Sequence, residues 1–449
     1  MKQRVVFLFY HGLGHVNSFL KAANILEEND YEVWFAGSGF FQQHVKLQGC
    51  KFYLLKSYPF GAGLEKWINT IEGKNIYFRT LWDRISDRVF TERQVELFWM
   101  LEELKPAVVL IDKMLSTDFI VLYAHLKNRG IKVAMINTML PTQVSADRPP
   151  LNSDVLPTDS RATLKTIHEA NWVKKKKKWK QKLMMVGFDD DYIINRAIKK
   201  NAIPHRYIST NPDLLRFSTA HVDELILAPR EFDFPQSVSQ ANQKYIGFMT
   251  TDSRVEMAEE AYKDFTTRIL PAKREKNFKL IYCSFGTVPP KQSDATTSFI
   301  EKLASVADEE GFVFVISGKV DEKTTAKART NFYSFNNVPQ LDILRNTDVF
   351  ITHGGLNSIK EAIHAEVPML VYPVHLEYDP VGNAARVFYH RLGLRGDIAS
   401  DSIDELKDKI SELLSNKIYK ENVRRLKDVD VSYEESTFVD AIDRIKTLK

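Results

Sequence analysis

Residues Val349 to Arg386, VFITHGGLNSIKEAIHAEVPMLVYPVHLEYDPVGNAAR, leave this chain few folds to choose from. An apolar run, Val349 to Thr352, ends in His-Gly-Gly, and a helix-length pattern follows at once. Strand, tight turn and helix in direct succession are the parts of a parallel α/β unit. The glycines let backbone approach a ligand with no Cβ in the way. Asn357 and Ser358 fall where the first free N–H groups of the new helix point outward, and such a terminus suits phosphate. Glu361 lies one turn further, and Asp379 and Asn383 follow a second strand-like run, Pro368 to Tyr372. A diphosphate with sugars on both sides needs that layout: amide N–H groups for the phosphates and carboxylates for the hydroxyls.

The same alternation fills the chain twice. Val5–Phe9, Glu32–Ala36, Lys51–Leu55, Val108–Ile111 and Lys132–Ile136 read as strands, with helical patterns such as Asn17–Glu28 and Leu115–Asn128 between them. The second half repeats the scheme with Lys279–Ser284, Phe312–Ser317, Val349–Thr352 and Met369–Tyr372. Strands alternating with helices imply a parallel sheet covered on both faces. The expected fold class is therefore α/β, with two facing Rossmann-like domains and a cleft between them, where ligands of open α/β sheets bind. With 449 residues the chain has room for two domains of roughly 200 each. The join is expected in the proline-containing stretch Ala228–Gly247. The divisions expected are residues 1–230, a linker 231–250, a second domain 251–425, and a C-terminal helix in 426–449 that packs back on the first domain. Residues 58–98 and 141–204 fit the alternation poorly and read as an acceptor-binding wall over the cleft.

Composition excludes several classes. A net charge of +4 is slight for this length, so nothing global suggests nucleic acid. Two cysteines far apart, Cys50 and Cys283, imply no disulfide framework and fit a reducing cytoplasm. The opening KQRVVFLFYHGLGH reads as a first strand rather than a signal peptide, and no run approaches the roughly 18 apolar residues of a membrane span. The eleven histidines are scattered without HExxH or CxxC, so no metal site is expected.

His11 and His15 follow the first strand in FYHGLGHVNSFL, with a helix expected from Val16 or Asn17. The third glycine of a dinucleotide fingerprint is missing, and no acidic residue ends the second strand, which argues against nicotinamide chemistry. Asp112 ends the apolar run AVVLI; it reads either as a helix cap or as a carboxylate that orients an imidazole. Ser284 to Thr287, SFGT, closes the first strand of the second half and offers hydroxyls to phosphates from the facing side. The run Lys174–Lys178, with Lys180 and Lys182, reads as a solvated helix face whose Trp172 and Trp179, seven residues apart, pin the other face inward. A membrane-surface role is the alternative.

Taken together, these residues resemble the UDP-glycosyltransferase superfamily, inverting enzymes of the two-domain GT-B type, and within it the bacterial macrolide and flavonoid branch. The resemblance is densest from Asn337 to Ala385, where PQLDIL, THGGLNSIKEA, VP, P and NA keep the family's donor signature in order and spacing; GHVN at Gly14–Asn17 matches its N-terminal motif. It implies a hexose, by default glucose, moved from a nucleotide sugar, by default UDP-glucose, to a hydroxyl of an apolar small molecule such as a flavonoid, sterol, terpenoid or macrolide. It implies His15 as general base and Asp112 as its orienting partner. Gly14, Ser284, Thr287, His353, Gly355, Leu356, Asn357 and Ser358 would contact the donor around its diphosphate. Glu361 would take the ribose, Val338 and Gln340 the base, and Asp379 the transferred sugar. No cofactor or metal is implied, since the nucleotide sugar is a co-substrate; nor are nucleic acid, stable membrane insertion or a partner beyond the monomer.

Two positions depart from the family pattern. Asn337 stands where a tryptophan usually stacks on uracil. Asp379-Pro380 replaces the usual acidic-Gln pair, and proline cannot donate an amide hydrogen bond. Other readings of the architecture are a nucleotide-sugar epimerase, which would need further cleft carboxylates, a silent nucleotide-sugar binder lacking His15 or Asp112, and a lipid transferase at the membrane surface.

Overall fold

A computed structural model describes residues 2–63, 76–145, 148–158, 160–211, 213–236, 240–251, 254–286, 294–307, 311–318, 320, 331–374 and 376–448. Two parallel sheets organise them. The first has the order β3-β2-β1-β4-β5-β6-β7, built from β1 (Gln3–Leu8), β2 (Tyr31–Ser38), β3 (Lys51–Leu55), β4 (Val108–Asp112), β5 (Lys132–Asn137), β6 (Glu224–Ile226) and β7 (Gln243–Tyr245). The second has the order β10-β9-β8-β11-β12-β13, built from β8 (Lys279–Ser284), β9 (Phe312–Ser317), β10 (Phe332–Phe335), β11 (Val349–Thr352), β12 (Met369–Val371) and β13 (Gly393–Arg395).

The strands are continuous apolar runs because helices cover both faces. Every residue of β4, β11 and β12 is buried. The helix Leu13–Glu28 turns Val16, Phe19, Leu20, Ala23 and Leu26 onto the first sheet, the spacing of one helical face.

In each sheet the strand order reverses once, between β1 and β4 and between β8 and β11. Such a reversal opens a crevice at the carboxyl ends of the two strands. The segments singled out by sequence sit at these two places: His11–His15 after β1, Asp112 ending β4, Ser284 ending β8 and His353 after β11.

The elements differ from the expected ones in instructive ways. β6, β7, β10 and β13 are three or four residues long, too short for an alternating pattern to declare itself. β7 lies inside residues 231–250, so the stretch read as linker carries the last strand of the first sheet. The helix after β1 begins at Leu13, which puts His15 in its first turn rather than ahead of it. The helix Lys417–Val431 packs Val423 and Leu426 with the second sheet's core. The helix Glu435–Arg444 returns to the first domain, where Phe438, Ala441 and Ile442 share a core with Phe19 and Leu26. Trp172 and Trp179 do not pin a face inward; they are 63% and 67% exposed. Among the described residues no helix is long and apolar enough to cross a membrane.

The two domains also share buried polar links. Arg386, on the helix Pro380–Tyr389, donates from Nε and Nη2 to Asp233 Oδ1 at 2.9 and 2.6 Å, both side chains being 1% exposed. Tyr245 Oη donates to Asp233 Oδ2 at 2.8 Å. Asp233 is held below the usual carboxylate range: burial alone would raise it, but the guanidinium charges of Arg386 and Arg148 outweigh burial.

Candidate active site

His15 and Asp112 meet at the first crevice. His15 Nδ1 lies 2.6 Å from Asp112 Oδ2, and Asp112 is fully buried. The carboxylate is itself fixed: Tyr10 N donates to Oδ2 at 3.2 Å and Met114 N to Oδ1 at 2.9 Å. Asp112 is thus both a cap for the short turn Lys113–Leu115 and the partner of an imidazole, the two roles that the sequence left open. With Nδ1 committed to Asp112, the neutral ring carries its lone pair on Nε2. Burial and the N-terminal end of the helix both disfavour a charged imidazole. Burial lowers the His15 pKa, yet the charge and hydrogen bond of Asp112, with the charge of Asp379, raise it above its ordinary value. His11, four residues earlier, goes the other way: burial and the charge of Arg93 push it down to about 4.

Thr138, which follows β5, was not legible as a site residue; its Oγ1 lies 3.0 Å from His15 Nδ1. Its position just past a strand's carboxyl end, next to β4, is the signal that could have found it. Asn137 anchors that turn by accepting from Met139 N at 3.0 Å and donating to buried Glu224 at 2.7 Å. Tyr10 sets its ring edgewise to His15, centroids 5.2 Å apart.

The second crevice is built around the helix Leu356–His364, capped by Gly355. Its first internal bond runs from Ile359 N to Gly355 O, so the N–H groups of Leu356, Asn357 and Ser358 have no acceptor within the helix. His353 leads into this terminus between two glycines. A Cβ on Gly286 would stand 2.4 Å from His353 Cε1, and one on Gly355 2.5 Å from Nε2, so neither position admits a side chain without moving the ring. Ser284 Oγ accepts from Gly286 N at 3.3 Å and holds the facing turn. Thr287 lies outside the described residues.

The side chains at this helix are more committed than the sequence suggests. Asn357 Nδ2 donates to Gly14 O at 2.5 Å, and Ser18 Oγ donates to Asn357 Oδ1 at 2.6 Å. Its amide therefore spans the two domains and leaves its backbone N–H for an anion. Leu356 and Val338 belong to the same buried cluster, so the Leu356 side chain is committed to the core. Glu361 has a partner on each oxygen: Arg254 Nη1 on Oε1 and Gln340 Nε2 on Oε2, both at 2.7 Å. Gln340 also reaches Ser358 Oγ at 3.4 Å and accepts from Tyr282 Oη at 3.4 Å. Arg254 was missed because it stands in no motif, 107 residues before its partner. Glu361 is therefore a carboxylate aimed by a cation.

Asp379 stands at the N-cap position of the helix Pro380–Tyr389 without a side-chain cap bond, and proline occupies the first turn, where its lost N–H costs nothing. Asn383 Nδ2 donates to Asp379 Oδ2 at 2.8 Å and to Gly354 O at 2.9 Å, tying this carboxylate to the glycine turn. Burial raises Asp379 above the ordinary carboxylate value, and the Asn383 bond and the His15 charge only partly offset it. Asp379 and His15 thus feel each other across the cleft.

Comparison with known proteins bears on family and fold. A family model described as UDP-glucoronosyl and UDP-glucosyl transferase matches residues 180–432, more than half of the chain. A protein named Uncharacterized UDP-glucosyltransferase YdhE, from Bacillus subtilis (strain 168), is 32% identical over 157 residues, 35% of this chain and 38% of that protein. UDP-glucuronosyltransferase 2B17 from Homo sapiens is 29% identical over 150 residues, 33% of this chain and 27% of that protein. The matched stretches span well under half the length of either relative. A solved structure of the glycotransferase of kitacinnamycin has a TM-score of 0.71 at 19% identity, covering 99% of this chain and 100% of the other. Spinosyn rhamnosyltransferase SpnG complexed with thymidine diphosphate has a TM-score of 0.58 at 14% identity, covering 98% and 100%. These two share the GT-B fold with this chain.

Proposed function

The chain belongs to the UDP-glucuronosyl and UDP-glucosyl transferase family, and on that premise we propose that it moves a hexose from a nucleotide sugar to an acceptor hydroxyl with inversion at the anomeric carbon. The observation that carries this reading is the 2.6 Å pairing of His15 with Asp112 beside Asp379 and opposite an open helix terminus at Leu356–Ser358.

Nε2 of His15 takes the proton of the acceptor hydroxyl as its oxygen attacks the anomeric carbon. The new C–O bond forms while the bond from that carbon to the phosphate oxygen breaks, and the electron pair leaves with the nucleoside diphosphate. Asp112 stabilises the imidazolium that results, a contribution typical of base–orienter pairs. General-base assistance is worth roughly two to four powers of ten. The leaving diphosphate gains charge as the bond breaks, and the first N–H groups of the helix Leu356–His364 donate hydrogen bonds to it. Glu361, aimed by Arg254, supports binding of ribose hydroxyls; Gln340 and Val338 border the base; Asp379 supports binding of the transferred sugar.

The donor is a pyrimidine nucleotide sugar, UDP-glucose by default; the relative bound to thymidine diphosphate makes dTDP-sugars the second choice to test. The acceptor is a small molecule with an apolar body. Product mass spectrometry with UDP- and dTDP-hexoses against flavonoid, sterol and macrolide acceptors tests the reading. Absence of any glycosylated product, together with absence of nucleotide-sugar cleavage, would contradict it.

A further inference from the structure

The helix Ser160–Met184 runs for 25 residues and buries a single side chain, Thr163. Its inward face is committed to the protein. Lys174 Nζ donates to Asp213 O at 2.6 Å, Lys178 pairs with Asp191 at 2.6 Å, and Ala170 and Gln181 help line a cavity of about 710 Å³ shared with Arg216 and Glu377. The outward face is different. Trp172 and Trp179, two turns apart, share it with Leu183, which is 60% exposed. Lys175, Lys176, Lys180 and Lys182 are exposed around them, and Lys176 Nζ lies 5.2 Å from the Trp172 ring centroid. From Trp172 to Met184 no acidic residue occurs.

A second element extends this face. Tyr77, on the helix Ile76–Ile85, donates from Oη to Met184 O at 2.5 Å. On that helix Phe78 and Trp82, one turn apart, are 66% and 65% exposed. Val186, just past the longer helix, is 67% exposed. Trp172, Trp179 and Leu183 thus share one helix face with a lysine cluster, and the helix tied to its end by Tyr77 carries two more exposed aromatic rings.

Large apolar groups left in water are unfavourable unless something covers them, and exposed aromatic rings grouped on one helix face mark an interaction surface. The composition indicates what covers it. Indole rings partition to the boundary between headgroups and acyl chains, and lysines beside them are drawn to anionic headgroups. Leu183, Met184 and Val186 offer nothing to a polynucleotide but suit acyl chains. We propose that this face, the outward side of Ser160–Met184 with Ile76–Ile85 beside it, docks on an anionic lipid bilayer. The attachment is peripheral. It holds the opposite face of the same helix, and the cavity beneath it, close to the bilayer surface.

The test is co-sedimentation of the whole chain with vesicles of equal parts phosphatidylglycerol and phosphatidylcholine, and with phosphatidylcholine alone. The protein should pellet with the first and stay in solution with the second, its tryptophan emission shifting to the blue on binding. Trp172→Ser/Trp179→Ser and Lys175→Glu/Lys176→Glu/Lys180→Glu should each weaken partitioning about tenfold or more. Unchanged far-ultraviolet circular dichroism and melting in both variants, whose altered residues are exposed, show that the fold is kept. Wild-type protein remaining in solution with anionic vesicles overturns the proposal. Undiminished pelleting of both variants does so as well, as does binding to an acidic polypeptide or an oligonucleotide in place of the vesicles.

Discussion

Asn357, in the first turn of the donor-side helix, donates its Nδ2 to the carbonyl of Gly14 at 2.5 Å, one residue before His15. One amide thus fixes the distance between the imidazole and the helix terminus that would hold a diphosphate. Asn357→Asp replaces the donor with an oxygen facing an oxygen. A misplacement of about 1 Å at a reacting pair can cost on the order of a hundredfold in rate. The expected result is a fall in kcat/KM of roughly 10- to 100-fold with the melting temperature nearly unchanged; unaltered kinetics would show that the latch does not set the geometry.

The pairing of His15 with Asp112 has a pH signature. Burial lowers the imidazole pKa, and the Asp112 charge more than reverses this, so the free site must lose a proton above the ordinary histidine value before it can act as a base. The acid limb of kcat/KM should therefore lie above about 6.5. In Asp112→Asn the burial effect remains and the charge is gone, so the limb should move to lower pH while the plateau rate falls roughly 10- to 1000-fold. A limb that stays where it was would reduce Asp112 to a cap of the turn Lys113–Leu115.

The ion pair of Asp233 and Arg386 bears on stability. Removing one member of a buried pair leaves the other charge uncompensated, at a cost of roughly 3–5 kcal/mol. Asp233→Ala should accordingly lower the denaturation midpoint strongly, and Arg386→Met should do the same. The Asp233 pKa is depressed in the folded chain, so its contribution is present above its unfolded value of about 4 and is lost as pH falls through the lower folded value. Thermal melts between neutral pH and pH 3 should show the wild type losing stability at the acid end, and Asp233→Ala losing less over the same range, since Glu32, Glu366 and Asp401 are also held low in both.

Gly355 has φ −63°, so alanine fits its backbone, but the new Cβ would stand 2.5 Å from His353 Nε2. Gly355→Ala must displace that ring from the glycine turn. Donor affinity, measured by calorimetry with UDP, should fall at least about tenfold, whereas Arg254→Met should weaken it by removing the cation that aims Glu361. Wild-type affinity in both variants would remove this helix terminus from the donor site.

Much of the scaffold could be read in advance because its signals are local. Val349–Thr352 followed by His353-Gly354-Gly355 announces a strand, a turn and a helix within a dozen residues, and the same holds for Phe7 to His15. Contacts made across the cleft leave no such trace. Nothing near Asn357 announces Gly14, 343 residues away, and nothing near Glu361 announces Arg254. Strands as short as Glu224–Ile226 and Gln243–Tyr245 contain too few residues for a period, so the first sheet runs further along the chain than its sequence suggests. Trp172 and Trp179 show a different limit. Heptad spacing says that two residues share a helix face, but not whether that face meets a core or something outside the protein.

The central claim is that His15 removes the acceptor's proton. His15→Ala, assayed by product mass spectrometry and by calorimetric titration with UDP, tests it most directly. The expected result is a loss of transfer of roughly two to four powers of ten with UDP affinity within a few-fold of wild type. Turnover comparable to wild type in that variant would contradict the assignment.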